Sequence, residues 1–151
     1  MARLTLKLDD LGNHVGEQLG ASSWHEVTQE QVGLFADATG DHQWIHLDAA
    51  RAAHGPFGST IAHGFLTLSL MPLLMREVYD VAGVRMGINY GTNRVRFPEP
   101  LRSGSSVRAR ARLDSAEEVP GGLQVVTNVV VELADRDKPC CVAELVSRFI
   151  A

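Results

Sequence analysis

A chain of 151 residues, 45% hydrophobic and 21% charged, has the make-up of one folded domain with a single core, which excludes a disordered or fibrous protein. Fourteen Lys and Arg against eighteen Asp and Glu give a net charge of −4, so the basic excess of a dedicated nucleic-acid binder is missing. The most apolar stretch, residues 61–75, is too short and too interrupted to span a bilayer, and no basic segment followed by an apolar one reads as a secretory leader.

No repeat or linker divides residues 1–151, which read as one domain. Leu4, Leu6 and Leu8 alternate with polar residues as a strand would, although Gly12, Gly16 and Gly20 argue for turns. A short strand fits residues 22–27. A helix is expected over residues 29–39, with Thr28 as N-cap, Gln31 at the capping-box spacing and Gly40 at its left-handed end. Val32, Phe35 and Ala36 give that helix one apolar stripe. Asp48 is placed to cap a short Ala-rich turn, and residues 54–58 are a loop. A second helix is expected from just after Gly64 to about Tyr79. Its apolar residues surround it, which predicts burial on nearly every side, and Pro72 predicts a kink.

Beyond Gly83 the hydrophobic period changes to two. One or two strands fit residues 84–97, and another alternates Val107, Ala109, Ala111 and Leu113 with Arg108, Arg110 and Arg112. Those arginines read as a solvated face paired with acidic neighbours such as Glu132. Pro120-Gly121-Gly122 makes a turn into a strand over residues 123–133, and residues 141–150 form the last strand. Cys140 and Cys141, the only cysteines, point to opposite faces of a strand, so they are expected as reduced thiols in a cytoplasmic protein. A buried helix followed by consecutive strands predicts an α+β fold with an antiparallel sheet packed on a central helix.

The segment TGDHQWIHLD, residues 39–48, holds two aspartates and two histidines in ten positions. Asp41 stands just past a helix end, and His46 comes within its reach if the chain turns. An Asp–His pair holding one water is a minimal general acid–base device. The same residues also fit a turn-capping aspartate and a buried structural histidine. A metal site through His42 and His46 needs a helix to bring them to one face, which this segment is not expected to form. The segment IAHG, residues 61–64, lies at the start of the apolar helix. Free N–H groups there suit an anionic oxygen, and Gly64 admits close approach. Arg94 and Arg96 are weaker candidates for a ligand phosphate.

FADATGD, then HLD, then FGSTIAHGFLTLSL resembles the MaoC-like dehydratases, the (R)-specific enoyl-CoA hydratase family. The later INYGTNRVRFPEPLRSG is similar to that family's nodulation-protein-N-like branch, and the likeness covers about residues 14–150. Gln43-Trp44 departs from the commoner Asn-Pro. The resemblance implies a hot-dog fold, an antiparallel sheet wrapped around one long helix, as a homodimer. It implies a lyase of fatty acid metabolism that reversibly hydrates trans-2-enoyl-CoA to (R)-3-hydroxyacyl-CoA without metal or other cofactor. Asp41 and His46 would activate the water, and the Gly64 N–H would bind the thioester oxygen. His63, Ser69 and Arg94 are further candidate substrate-binding positions. A hot-dog acyl-CoA thioesterase and a non-catalytic acyl-thioester-binding accessory subunit are the alternatives. No nucleic acid or membrane partner is implied.

Overall fold

Strand, helix and sheet follow one another along the chain in the computed structural model, which describes residues 2–151. A strand β1 (Leu4–Lys7) leads through a 3-10 turn (Leu8–His14) to β2 (Gln18–Ala21) and β3 (His25–Glu26). Helices α1 (Gln29–Thr39), α2 (Trp44–Leu47) and α3 (Ala49–Ala53) follow, then α4 (Gly64–Ser69) and α5 (Met71–Val78). The chain ends in β4 (Tyr79–Ala82), β5 (Met86–Arg96), β6 (Ser106–Val119), β7 (Gly122–Leu133) and β8 (Arg136–Ile150).

The main sheet runs in the order β2-β6-β7-β8-β5, with β3 beside β2 on β6, and its pairs are antiparallel. A second, two-stranded sheet pairs β1 with β4 in parallel. The alternation in sequence explains the long strands. Val107, Ala109, Ala111 and Leu113 are buried on the helix side, while Arg108 and Arg110 share Glu132 on the other side. Cys140 and Cys141 are free and buried, and burial pushes both thiols up to about 12, which suits them as inert packing groups.

Local signals set the helix ends. Thr28 accepts from the Gln31 N–H at 3.1 Å to begin α1, and Gly40 ends it at φ 82° while donating to Ala36. Asp48 accepts from the Arg51 N–H to start α3. The expected long helix is α4 and α5 together, interrupted at Leu70. Pro72 stands at the start of α5, where its missing N–H breaks no bond within that helix.

That helix lays Leu66, Met71, Leu74 and Val78 into the core, each fully buried side chain contributing about 2 kcal/mol. It is not covered on every side as its sequence predicts. Phe65 is 68% and Leu73 45% exposed, because the sheet lies against one face of the helix and no element among the described residues covers the other. The edge strand β5 is similarly bare, with Met86, Ile88 and Tyr90 exposed. No helix among the described residues is long and apolar enough to cross a membrane.

Candidate active site

The turn of chain after α1 brings the Asp–His pair together. Asp41 follows the glycine cap directly, and its carboxylate is half exposed, accepting from the Gln43 N–H at 3.3 Å. Residues 44–47 then close one helical turn, α2, which the sequence did not lead us to expect. The turn buries His46, only 5% exposed, with Nε2 at 4.0 Å from Asp41 Oδ2. That separation is too long for a direct bond. It leaves room for one water at about 2.8 Å from both atoms.

The tautomer of His46 follows from its other nitrogen. Nδ1 lies 2.7 Å from the carbonyl oxygen of Ile61, so Nδ1 carries the hydrogen and Nε2 offers a lone pair toward Asp41. The Ile61 N–H donates back to Ile45 at 3.0 Å, tying the IAHG segment to α2. Two residues absent from the sequence reading steady the same turn. Gln29 donates from Nε2 to the His46 carbonyl at 2.8 Å, and the buried Thr60 hydroxyl donates to Gln29 Oε1. Gln29 is merely the residue after the N-cap, and Thr60 lies in the FGSTIAHG motif without its type there suggesting this contact.

His63 comes to the same place. Its ring stacks on His46 with centroids 3.7 Å apart and planes at 23°, and it sits directly before Gly64. The Gly64 N–H belongs to the first turn of α4 and has no acceptor within that helix. Close approach to Gly64 is made by a side chain of the protein itself: a Cβ there would stand 2.9 Å from Phe97 Cδ2. Phe97, 40% exposed, also meets Phe65 edge to face. It lies within the segment INYGTNRVRFPEPLRSG, where nothing in the sequence singled it out.

Three other candidates are not brought to the pair. His42 is exposed and bonds Asp37 at 3.0 Å, with the Asp37 contact holding its ring above the ordinary histidine range. Arg94, a candidate for a ligand phosphate, lies away from the pair. Its neighbour Val95 faces the core, so Arg94 lies on the opposite face of the sheet, beside Arg96, Asn128 and Glu144. Ser69 donates to the Phe65 carbonyl at 2.7 Å and lines a cavity of about 350 Å³ with Leu68, Met71, Pro72 and Asn89. That cavity shares Pro72, Asn89, Leu145 and Ser147 with a second of about 470 Å³, so together they form one groove along the helix. A larger open depression of about 890 Å³, between the 3-10 turn and the β6–β7 hairpin, contains none of the candidate residues.

Asp41, His46 and His63 offer donor atoms within 4.8 Å of one another. The stacking fits a metal poorly. Two near-parallel rings 3.7 Å apart direct their lone pairs side by side, so a shared ion would sit well out of both ring planes.

An antiparallel sheet wrapped on a helix, with an Asp–His pair at the helix start, defines a hot-dog protein of the hydratase and dehydratase type. The MaoC-like domain matches residues 10–134. The chain is 53% identical over 143 residues to 3-hydroxyacyl-thioester dehydratase Z of Mycobacterium tuberculosis, covering 94% of this chain and 95% of that one. It is 42% identical to nodulation protein N of Rhizobium leguminosarum bv. viciae, over 94% and 90% of the two chains. The solved structure of R-hydratase PhaJ1 from Pseudomonas aeruginosa in the unliganded form superposes with a TM-score of 0.72 at 26% identity, covering 90% of this chain and 81% of that one. The chain belongs to the MaoC-like dehydratase family, with nodulation protein N among its relatives.

Proposed function

We propose that the protein reversibly adds water to a trans-2-enoyl thioester, giving the (R)-3-hydroxyacyl thioester. The observation that carries this reading is the 4.0 Å gap between Asp41 Oδ2 and His46 Nε2, two proton acceptors facing one space. A water held there donates one hydrogen to each and turns an oxygen lone pair outward, toward C3 of the substrate. As its oxygen bonds C3, one hydrogen stays as the new hydroxyl and the other passes through the Asp41–His46 pair to C2. The Gly64 N–H donates to the thioester oxygen and stabilises its enolate-like charge in the transition state. The acyl chain runs in the groove between α5 and β5, where Ser69 lies on its wall. The (R) hand and the thioester substrate are supported by the likeness to the dehydratase Z and R-hydratase chains.

The working unit is a homodimer. The eleven-residue strand β5 has no partner on its outer edge among the described residues and is exposed along almost all its length. A long bare edge with apolar side chains invites a second copy, and the uncovered Phe65 and Leu73 extend the same demand.

The test follows enoyl absorbance and free thiol together across crotonyl- to hexadecenoyl-CoA. Loss of absorbance without thiol, with the product resolved as the (R) enantiomer, is expected. Thiol release from saturated and unsaturated substrates alike would make it a thioesterase, and no turnover would leave the non-catalytic reading.

A further inference from the structure

His63, a candidate substrate-binding position, is only 3% exposed. Nε2 lies 2.9 Å from the backbone carbonyl oxygen of Asp41. A carbonyl only accepts, so Nε2 carries the hydrogen in the neutral ring. Nδ1 is buried and meets no partner among the described residues. One face of the ring stacks on His46, and Phe35 of α1 stands tilted against it at 4.9 Å between centroids. The His63 carbonyl, in turn, accepts from the Leu66 and Thr67 N–H groups that open α4. One residue therefore touches the peptide of Asp41, the ring of His46 and the first turn of the helix that presents Gly64.

We propose that His63 is a positioning residue: its Nε2–H holds the Asp41 backbone while its ring sets the plane of His46, fixing both relative to Gly64. This rests on the hydration reading above. The arrangement gives the two stacked imidazoles opposite tautomers, Nε2–H on His63 and Nδ1–H on His46, each dictated by the carbonyl it faces. A ring with both nitrogens free to serve the substrate would not have one of them committed to a peptide. Without the bond, the loop from Gly40 to Gln43 keeps its chemistry but loses its register with the helix start, and small displacements of a reacting group are costly in rate.

The test uses the full chain. His63→Gln retains an N–H near the position of Nε2, whereas His63→Leu fills the space without a donor. We expect His63→Leu to lower kcat by about ten- to a hundredfold with KM within about twofold, and His63→Gln to regain most of that loss. Proton–nitrogen correlation spectra of histidine-labelled protein should show the two tautomers in the assignment above, and His63→Leu should shift the ring signals of His46. Unchanged kcat in His63→Leu, equal losses in both variants that track Tm, or an Nδ1–H tautomer on His63 would overturn the proposal. The spectra need no substrate, so a wild-type protein inactive on enoyl thioesters would remove the function proposed above while the spectra still decide whether His63 holds this bond.

Discussion

His46 donates from Nδ1 to the carbonyl of Ile61 over 2.7 Å, and this bond joins the two motifs that stand apart in the sequence. It does two things at once. It ties α2 to the segment that starts α4, and it fixes which nitrogen of His46 faces Asp41. Residues 41–46 and residues 61–64 of one chain thereby meet.

Asp41→Asn keeps the shape of the carboxylate and removes its ability to take a proton. Hydration is expected to fall by about a hundredfold or more, the range for a lost acid–base group, with Tm little changed because the side chain is half exposed. The decay of enoyl absorbance with the purified variant checks this, and near-normal turnover would remove Asp41 from the mechanism.

The two histidines of the same segment should separate cleanly. His46→Gln loses the lone pair at Nε2 and the bond to Ile61, so most activity goes. His42→Gln breaks only an exposed contact with Asp37 and should cost less than about twofold. Equal losses at both positions, together with inhibition by a chelator, would favour a metal centre instead.

Local signals made much of this legible beforehand. Thr28 and Gly40 bound α1 where their side chain and backbone freedom require, and the period-two alternation of residues 107–113 became the buried and wet faces of β6. Asp41, His46 and Gly64 carry motif signals because their chemistry depends on residue type. The supporting contacts do not. Gln29, Thr60 and Phe97 meet the site through tertiary proximity, and although Thr60 and Phe97 lie in the quoted motifs, no spacing rule describes the contacts they make. The helix over residues 64–78 misled for the same reason. Its all-round apolarity read as burial within one chain, whereas Phe65 and Leu73 face outward from the fold.

Away from the site, Glu77 ties α5 to the corner between β2 and β3. Its carboxylate accepts from the Ser23 hydroxyl at 2.6 Å, from the Ser23 N–H at 2.9 Å and from His25, and these bonds hold it at about 2 against an ordinary 4.5. A folded-state value below the unfolded one stabilises the protein above about pH 4.5, and that contribution is lost as pH falls toward 2. Glu77→Gln should therefore lower Tm at pH 7 by a modest amount, since the group is partly solvated. The difference from wild type should shrink through that acid window. A Tm gap that persists unchanged at pH 2 would mean the carboxylate charge is not its source.

The contact between Gly64 and Phe97 makes a sharper demand. The backbone of Gly64 is not in the left-handed region, so a side chain is not excluded by conformation. It is excluded by the Phe97 ring, whose Cδ2, Cε2 and Cγ atoms stand 2.9, 3.0 and 3.1 Å from where a Cβ would be. A half-exposed ring can swing aside, so Gly64→Ala should fold with a small change in Tm. The swing or the recoil of α4 moves the N–H proposed to bind the thioester oxygen, and loss of an oxyanion donor typically costs about a hundredfold or more. Gly64→Val, with two further methyls, should be worse in hydration than in stability. Trimming the ring in Phe97→Leu should relieve the crowding, so the double variant Gly64→Ala/Phe97→Leu should be more active than the two single losses combined predict. A coupling of about 0.5–3 kcal/mol in kcat/KM is the expected size for residues in direct contact. Strictly additive losses across the four proteins would show that the ring is not what the glycine accommodates.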